Sequence, residues 1–265
     1  MSFRLRRGTA PLLVSMPHIG TRIPEELRAG YVDRAQSVED ADWHLDRLYD
    51  FLDELGASVL QPVYSRYVID LNRPPDDTPM YPGASNTELC PTRFFTGDAL
   101  YADGHAPDKA EQLRRRETWW KPYHTALASE LDRLKQEHGF VVLWDAHSIR
   151  CEIPWLFEGV LPDLNIGTAG GASADASIEH AVAHAANEPG VSHVVNGRFK
   201  GGYITRHYGR PAAHVHAVQL EMVQRLYMDE APPYAYDERQ AARIQPLLKD
   251  MVNAALAAMK ALYGR

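Results

Sequence analysis

The sequence predicts an α/β fold, in which a mixed, mostly parallel sheet is flanked by helices on both faces. Two observations carry this prediction: short apolar runs bounded by turn residues, and segments of helical periodicity that alternate with them. The chain has 265 residues, of which 45% are hydrophobic and 24% are charged. This length and composition suffice for one sizeable core. We therefore expect a single domain over residues 1–265.

Five apolar runs have the length and composition of buried strands. They lack the polar alternation of half-exposed strands, which is typical of parallel sheets covered on both faces. The runs cover residues 12–16, 58–60, 67–71, 140–144 and 215–220.

Helical periodicity appears in three further segments. Leucines at positions 45, 48, 52 and 55 share one helical face, and Gly56 is placed to end that helix. A second pattern covers about residues 108–138, is interrupted at Pro122 and ends at Gly139. A third covers about residues 237–262. The composition of residues 74–104 predicts an unusually long loop, and a loop of this length usually serves a functional site. That this loop closes over the site as a lid is a further hypothesis.

Composition excludes several classes of function. The net charge is −7 and no basic cluster stands outside a predicted helix, so a nucleic-acid partner is not expected. The apolar runs are too short to cross a bilayer, and no signal-peptide core follows the N-terminus. Two cysteines form no metal-binding or disulfide pattern. We expect a cytoplasmic monomer or small homo-oligomer.

Polar residues follow four of the apolar runs, and two of these polar residues are histidines. His18 follows the first run and His147 the fourth, while Glu221 follows the fifth. Ligands of open α/β sheets bind at the carboxyl ends of the strands, so these residues are expected to converge. Two histidines with a carboxylate favour one hydrolytic Zn2+ per chain, although another divalent metal is possible. Taken singly, each histidine also fits a purely structural role.

The third metal ligand is less constrained by the sequence. Thr21 stands three residues after His18, so no carboxylate occupies this nearby position as a third metal ligand. The next carboxylates precede or open the leucine-striped helix, and Asp42 is our choice among them. The competing explanation for these acids is that they lie in the first turn of the helix, where negative charges interact favourably with the helix dipole. The rival ligands are Glu39, Asp40 and Asp46.

Glu221 and several arginines complete the candidate site. A glutamate after a very apolar strand is costly to bury without a role, so it is either a general base or part of an ion pair. We favour the base, which takes a proton from metal-activated water. Arg66, Arg73 and Arg206 are candidate clamps for a substrate carboxylate, which a guanidinium binds in bidentate fashion.

Several blocks of the sequence resemble the N-formylglutamate amidohydrolases. They are MPHIG at 16–20, SRYVIDLNRP at 65–74, LWDAHSI at 143–149, NGRFKGGYITR at 196–206 and HAVQLE at 216–221. The resemblance implies zinc-dependent hydrolysis of N-formyl-L-glutamate to L-glutamate and formate, the last step of one bacterial route of histidine degradation. It also implies kinship with zinc carboxypeptidases and aspartoacylases, and hence a zinc-exopeptidase-like fold.

The resemblance also implies roles for single residues. Asn72 and Arg73 match the pair that holds the substrate carboxylate in aspartoacylases, and Arg66 matches the arginine that polarises the scissile carbonyl there. Asp42 lies in a block that recurs in the amidohydrolases. The second carboxylate of the substrate is then expected on Arg206 with Tyr203.

Two other functions stay open at this point. One is a related metal-dependent hydrolase or carboxypeptidase-like enzyme with a different N-acyl or formimino acidic substrate. The other is a binding protein for acidic ligands that has lost turnover. The presence of His18, His147 and Glu221 argues against the second alternative.

Overall fold

The computed structural model describes residues 2–80 and 86–264. These residues form a seven-stranded sheet of order β1-β3-β2-β4-β7-β5-β6. Four of its neighbouring pairs are parallel, whereas β1–β3 and β5–β7 are antiparallel. The strands are β1 (Phe3–Arg6), β2 (Leu12–Ser15), β3 (Ser58–Pro62), β4 (Val141–Ile149), β5 (Leu164–Gly167), β6 (His193–Val195) and β7 (Val215–Val223). This sheet confirms the predicted fold class.

Helices cover both faces of the sheet. Residues of α2, α5 and α7 join one hydrophobic cluster, and residues of α4 and α6 join the cluster on the opposite face. The helices are α1 (Glu25–Arg28), α2 (Leu45–Leu48), α3 (Lys109–Arg115), α4 (Lys121–His138), α5 (Ala176–Ala185), α6 (Tyr203–Tyr208) and α7 (Glu238–Tyr263). Among the described residues, none of the helices combines the length and the hydrophobicity of a membrane-spanning segment.

The two central strands, β4 and β7, continue through polar residues that we expected to follow them. Val142 and Trp144 of β4 pack into the cluster beneath α7. Because successive side chains of a strand point to opposite faces, Asp145 and His147 lie on the α4 side. In the register of the parallel pair, His147 stands opposite Glu221. The predicted strands at 140–144 and 215–220 therefore ended too early.

One predicted strand is wrong. Residues 67–71 form turns and irregular structure instead of pairing with the sheet. Some of their backbone hydrogen bonds are local, as from Val68 N to Ser65 O (2.9 Å). Others reach the following loop, as from Asp70 N to Leu89 O (2.7 Å). The run is apolar because it is buried beneath other segments. Burial alone cannot distinguish this arrangement from a strand. The short strands β1, β5 and β6 were not predicted.

The helical predictions are confirmed at the longer segments. Asp108 caps α3 through its side chain, a π-helical turn at Arg116–Trp120 joins α3 to α4, and Gly139 ends α4 with φ of 83°. The helical path continues through Pro122, which stands at the start of α4 directly after the π-helical turn, so the regular α-helix is interrupted just before the proline. The leucine-striped helix is shorter than predicted, since α2 gives way to a 3₁₀ turn at Asp50–Leu52.

The long loop at 74–104 is anchored over its described part. Leu89, Phe94, Leu100 and Tyr101 are buried, and the described residues of the loop contain no helix or extended strand. Residues 81–85 lie outside the described residues. Closure of this loop as a lid therefore stays a prediction.

Candidate metal centre and active site

Three buried side chains converge where a metal ion was predicted. His18 follows β2, Asp42 precedes α2, and His147 lies in β4. One potential ligand atom from each lies within 4.8 Å of the others. Asp42 Oδ2 is 3.7 Å from His18 Nδ1 and 3.1 Å from His147 Nδ1. Two imidazole nitrogens and one carboxylate oxygen are a ligand set of hydrolytic zinc sites, which keep a further position for water or substrate.

Two further carboxylates orient the histidine rings. His18 Nε2 donates a hydrogen bond to Asp70 Oδ1 at 2.7 Å, and His147 Nε2 is 3.3 Å from Asp145 Oδ2. Metal-binding histidines usually donate their second N–H group to such a partner, which fixes the ring and its tautomer. Both Nδ1 atoms are thereby left facing Asp42. The residues present thus fit a divalent cation.

The cluster is strongly anionic. Burial alone would raise the pKa of Asp42, but hydrogen bonds with His147 and His18 outweigh it and hold that pKa below its ordinary value. Burial would likewise lower the pKa of His147, yet the charge of Asp145 and the contact with Asp42 raise it well above the usual value. Such an environment stabilises a positive charge, whether it is a proton or a metal ion.

The rival carboxylates are engaged elsewhere. Asp40 accepts hydrogen bonds from Phe95 N (3.0 Å), Tyr67 Oη (2.8 Å) and Arg150 (2.7 Å). Glu39 forms an ion pair with Arg34, while Asp46 is exposed. These contacts favour Asp42 as the third ligand.

Glu221 faces the same cavity as His18 and His147. Burial raises the pKa of Glu221 to about 8; His147 opposes this rise and the charge of Asp42 adds to it. No residue of the described ranges forms an ion pair or hydrogen bond with its side-chain carboxylate. The alternative of a structural ion pair therefore finds no support in this part of the chain, and a carboxyl group poised near neutrality suits proton transfer.

Arg66 is a buried cation on the wall of this cavity. Its guanidinium donates to Asp70 Oδ2 at 2.6 Å and lies 4.7 Å from the ring centre of Phe95. Burial alone would lower the pKa of Arg66, but the negative charges of Asp70, Asp42 and Asp40 raise it. The side chain therefore offers a permanent positive charge beside the candidate metal ligands.

Asn72 and Arg73 also line the cavity. Arg73 donates to Thr87 O at 2.9 Å and to Thr87 Oγ1 at 2.6 Å, which ties it to the long loop. Asn72 Oδ1 accepts from Ile204 N at 2.8 Å, and Asn72 Nδ2 lies 2.9 Å from His147 Nε2. A Cβ atom on Gly202 would lie 2.3 Å from Asn72 Nδ2. Glycine at 202 is thus required for the close approach of this segment to Asn72.

Tyr203 and Arg206 are placed differently. The Tyr203 ring stacks on His207 with centroids 4.8 Å apart, and Arg206 Nε donates to Gly201 O at 2.7 Å. Neither residue is among the described residues that line the cavity. Their assignment to the second substrate carboxylate stays a prediction.

Part of the cavity wall was not predicted from the sequence. The additional lining residues are Thr87, Phe95, Ile149, Leu156, Phe199, Gly202 and Gln219. Gln219 could have been predicted as a cavity residue, because it precedes Glu221 by two residues in a strand and so lies on the same face of the sheet. Thr87 and Phe95 had no such signal, since they lie in a loop without periodicity.

Comparison with known sequences identifies one protein family. The N-formylglutamate amidohydrolase family model matches residues 10–228. The chain is 52% identical to the N-formylglutamate deformylase of Pseudomonas putida over 252 residues, which covers 95% of this chain and 94% of that protein. It is also 52% identical over 255 residues to that of Pseudomonas aeruginosa, with 95% of each chain covered.

A solved structure agrees with these sequence matches. It is the crystal structure of N-formylglutamate amidohydrolase from Ralstonia eutropha JMP134, which matches with a TM-score of 0.81 and 26% identity. The match covers 98% of this chain and 97% of that one. The family model and both deformylases span most of the sequence, including the residues of the candidate site. The chain therefore belongs to the N-formylglutamate amidohydrolase family.

Proposed function

We propose that this protein hydrolyses N-formyl-L-glutamate to L-glutamate and formate. The observation that carries the proposal is the cavity shared by His18, His147, Glu221 and Arg66, with Asp42 completing the ligand cluster. Candidate metal ligands, a buried carboxyl group and a guanidinium share this cavity, and metal-dependent amide hydrolysis uses groups of all three kinds. The two Pseudomonas relatives are named for deformylation of N-formylglutamate, which identifies the substrate to test first.

A divalent cation, with zinc as the first candidate, would be held by His18, Asp42 and His147. When bound, such a cation polarises a carbonyl group and increases the acidity of water. Asp70 and Asp145 support this assignment, because each lies within 3.3 Å of the outer nitrogen of one histidine ring. These outer contacts hold both rings in place and direct their Nδ1 atoms towards Asp42.

Glu221 is the group that moves the proton. Its carboxylate accepts a proton from the attacking water and passes it to the nitrogen of the departing amino acid. A carboxyl with a pKa near neutrality can perform both steps, and the cation's charge would lower the raised pKa of Glu221. Its burial at the carboxyl end of the sheet also limits exchange of this proton with bulk water.

Arg66 stabilises the negative charge that develops on the carbonyl oxygen. One guanidinium nitrogen is bound to Asp70, and no described residue accepts a hydrogen bond from the remaining nitrogens. Since Arg66 is already oriented, its charge acts without reorganisation during the reaction.

The two carboxylates of the substrate would bind to separate arginines. Arg73 with Asn72 holds one of them, with Thr87 keeping the guanidinium in place. Arg206 with Tyr203 is proposed for the other, which requires the substrate to extend beyond the cavity of the described residues.

The direct test measures formate release from N-formyl-L-glutamate by purified protein, after chelation and after addition of zinc, with metal content determined on the same samples. Activity that disappears and returns with about one zinc per chain is expected. His18→Ala should prevent both zinc binding and turnover, whereas His180→Ala, at an exposed position of α5, should preserve both. Turnover that does not respond to chelation would contradict the metal-dependent mechanism.

The acyl group is tested separately with N-acetyl-L-glutamate. Hydrolysis of the formyl compound alone supports a deformylase, because a cavity that fits a formyl group excludes the additional methyl group. Faster hydrolysis of the acetyl compound would favour the broader class of acyl-amino-acid hydrolases.

A further inference from the structure

Gln219 lies at the base of the cavity, on the same face of β7 as Glu221. It stands opposite Asp145 in the β4–β7 register, one step deeper along the strands than the pair of His147 and Glu221. Only 3% of the residue is exposed, and it contributes to the cavity wall. A polar side chain at this depth requires hydrogen-bond partners.

The orientation of the Gln219 amide is fixed by a backbone donor. Gly202 N donates to Gln219 Oε1 at 2.7 Å. Since only the oxygen of a carboxamide accepts a hydrogen bond, Nε2 must point away from Gly202. No residue of the described ranges accepts a hydrogen bond from Nε2, and this atom is not among the fully buried atoms without a partner. Its N–H groups are therefore available to a ligand in the cavity.

Asn72 is held in the same manner on the neighbouring wall. Its Oδ1 atom accepts from Ile204 N at 2.8 Å, two residues after the backbone donor that fixes Gln219. The segment from Gly202 to Ile204 thus binds the oxygens of two carboxamides. Both side chains are thereby oriented in advance. Asn72 Nδ2 faces His147 Nε2 at 2.9 Å, whereas Gln219 Nε2 stays available to a ligand.

We propose that Gln219 Nε2 donates a hydrogen bond to a carboxylate oxygen of the substrate, which makes Gln219 a residue that selects acidic substrates. This inference rests on the proposed function and names a further part of the substrate site. A neutral donor suits the position, because an arginine or lysine two residues from Glu221 would form an ion pair with the base. An amide binds the anion and leaves the Glu221 carboxylate unpaired.

Two substitutions separate the donor role from a structural one. Gln219→Glu retains an acceptor for Gly202 N but replaces the free donor with an oxygen. Gln219→Met adds no charge and loses both functions. Loss of a hydrogen bond to a carboxylate predicts an increase in KM for N-formyl-L-glutamate of about 10- to 100-fold in both variants, with a smaller effect on kcat. Zinc content of Gln219→Met should match the wild type, because Gln219 is not among the candidate metal ligands.

Substrate analogues identify the carboxylate. N-formyl-L-glutamine lacks the side-chain carboxylate, and the α-amide of N-formyl-L-glutamate lacks the other. The increase in KM should disappear for whichever analogue lacks the carboxylate that Gln219 contacts. An equal increase for all three substrates would overturn the inference. So would a normal KM in Gln219→Met, because the effect of Gln219→Glu would then reflect charge repulsion alone.

Calorimetric binding of L-glutamate to the zinc-loaded protein tests the inference without turnover. Both variants should bind L-glutamate at least 10-fold more weakly than the wild type. If the wild type releases no formate, the proposed function fails, and these binding data still test Gln219. If the wild type is active and both variants match it in KM and in glutamate affinity, only the role of Gln219 is refuted.

Discussion

Replacement of Asp70 by asparagine tests whether the outer carboxylates of the site support metal binding. Asp70 is fully buried and contacts three groups at once: His18 Nε2 (2.7 Å), an Arg66 guanidinium nitrogen (2.6 Å) and the backbone N–H of Asn72 (2.9 Å). Burial alone would raise the pKa of Asp70, but the charges of His18 and Arg66 hold it well below the usual range. Asp70 therefore contributes a full negative charge.

Two losses follow from Asp70→Asn. A metal-bound histidine that loses its outer partner binds its metal about 10- to 100-fold more weakly, equivalent to about 1.4–2.7 kcal/mol. Arg66 would also lose its bonded carboxylate, and breaking a buried ion pair in this way costs about 3–5 kcal/mol of folding stability. At about 2–4 °C per kcal/mol, the melting temperature should fall by about 6–20 °C. The variant should still fold, since domains have about 5–15 kcal/mol of stability.

Zinc affinity is measured by competition with a chelator, and stability by thermal unfolding of the metal-free protein. Glu130→Gln is the matched control, because Glu130 is a buried carboxylate of α4 that binds Ser58 Oγ (2.6 Å) and Arg133 (2.6 Å) outside the cavity. It should reduce stability and leave zinc affinity unchanged. Wild-type zinc affinity in Asp70→Asn, or an equal loss of affinity in both variants, would refute the reasoning.

Three substitutions test other parts of the site. Glu221→Gln should retain zinc and lower kcat about 10²- to 10⁴-fold, and normal turnover would remove Glu221 from the base role. Arg73→Lys should raise KM for N-formyl-L-glutamate, because lysine lacks the bidentate fork; an unchanged KM would place the clamp elsewhere. Gly202→Ala places a Cβ atom 2.3 Å from Asn72 Nδ2 and should lower kcat/KM strongly, whereas Gly30→Ala, whose nearest neighbour would be 3.5 Å away, should not.

The residues that the sequence identified best are those at the carboxyl ends of central strands. His18, His147 and Glu221 were predicted to meet because parallel strands bring their ends to one edge of the sheet. The structure places all three on one cavity. Asp42 was harder to identify from the sequence, because no local pattern shows which acid of a cluster faces inward. The contacts of Asp40 with residues distant in sequence occupy its carboxylate and so favour Asp42.

Other features depend on long-range packing that no local pattern records. Residues 67–71 have the composition of a strand, yet they are buried as irregular structure, because apolar character reports burial and not hydrogen-bond pairing. Phe95 and Thr87 reach the cavity from a loop that has no period to follow. Their positions depend on contacts between segments far apart in sequence, such as Asp40 with Phe95 N and Arg73 with Thr87.

Side chains two residues apart on β4 and on β7 point to the same face of the sheet, so the central part of the site has two layers. In β4, Asp145 lies below His147, and in β7, Gln219 lies below Glu221, so the register sets the deeper pair side by side beneath the shallower one. The shallower layer carries His147 and Glu221, the proposed metal ligand and the proposed base, and Asp145 in the deeper layer lies 3.3 Å from His147 Nε2. A change in the deeper layer should therefore alter metal affinity or substrate selection and leave the proton-transfer group in place. This expectation separates the effect of Gln219→Glu on KM from that of Glu221→Gln on kcat.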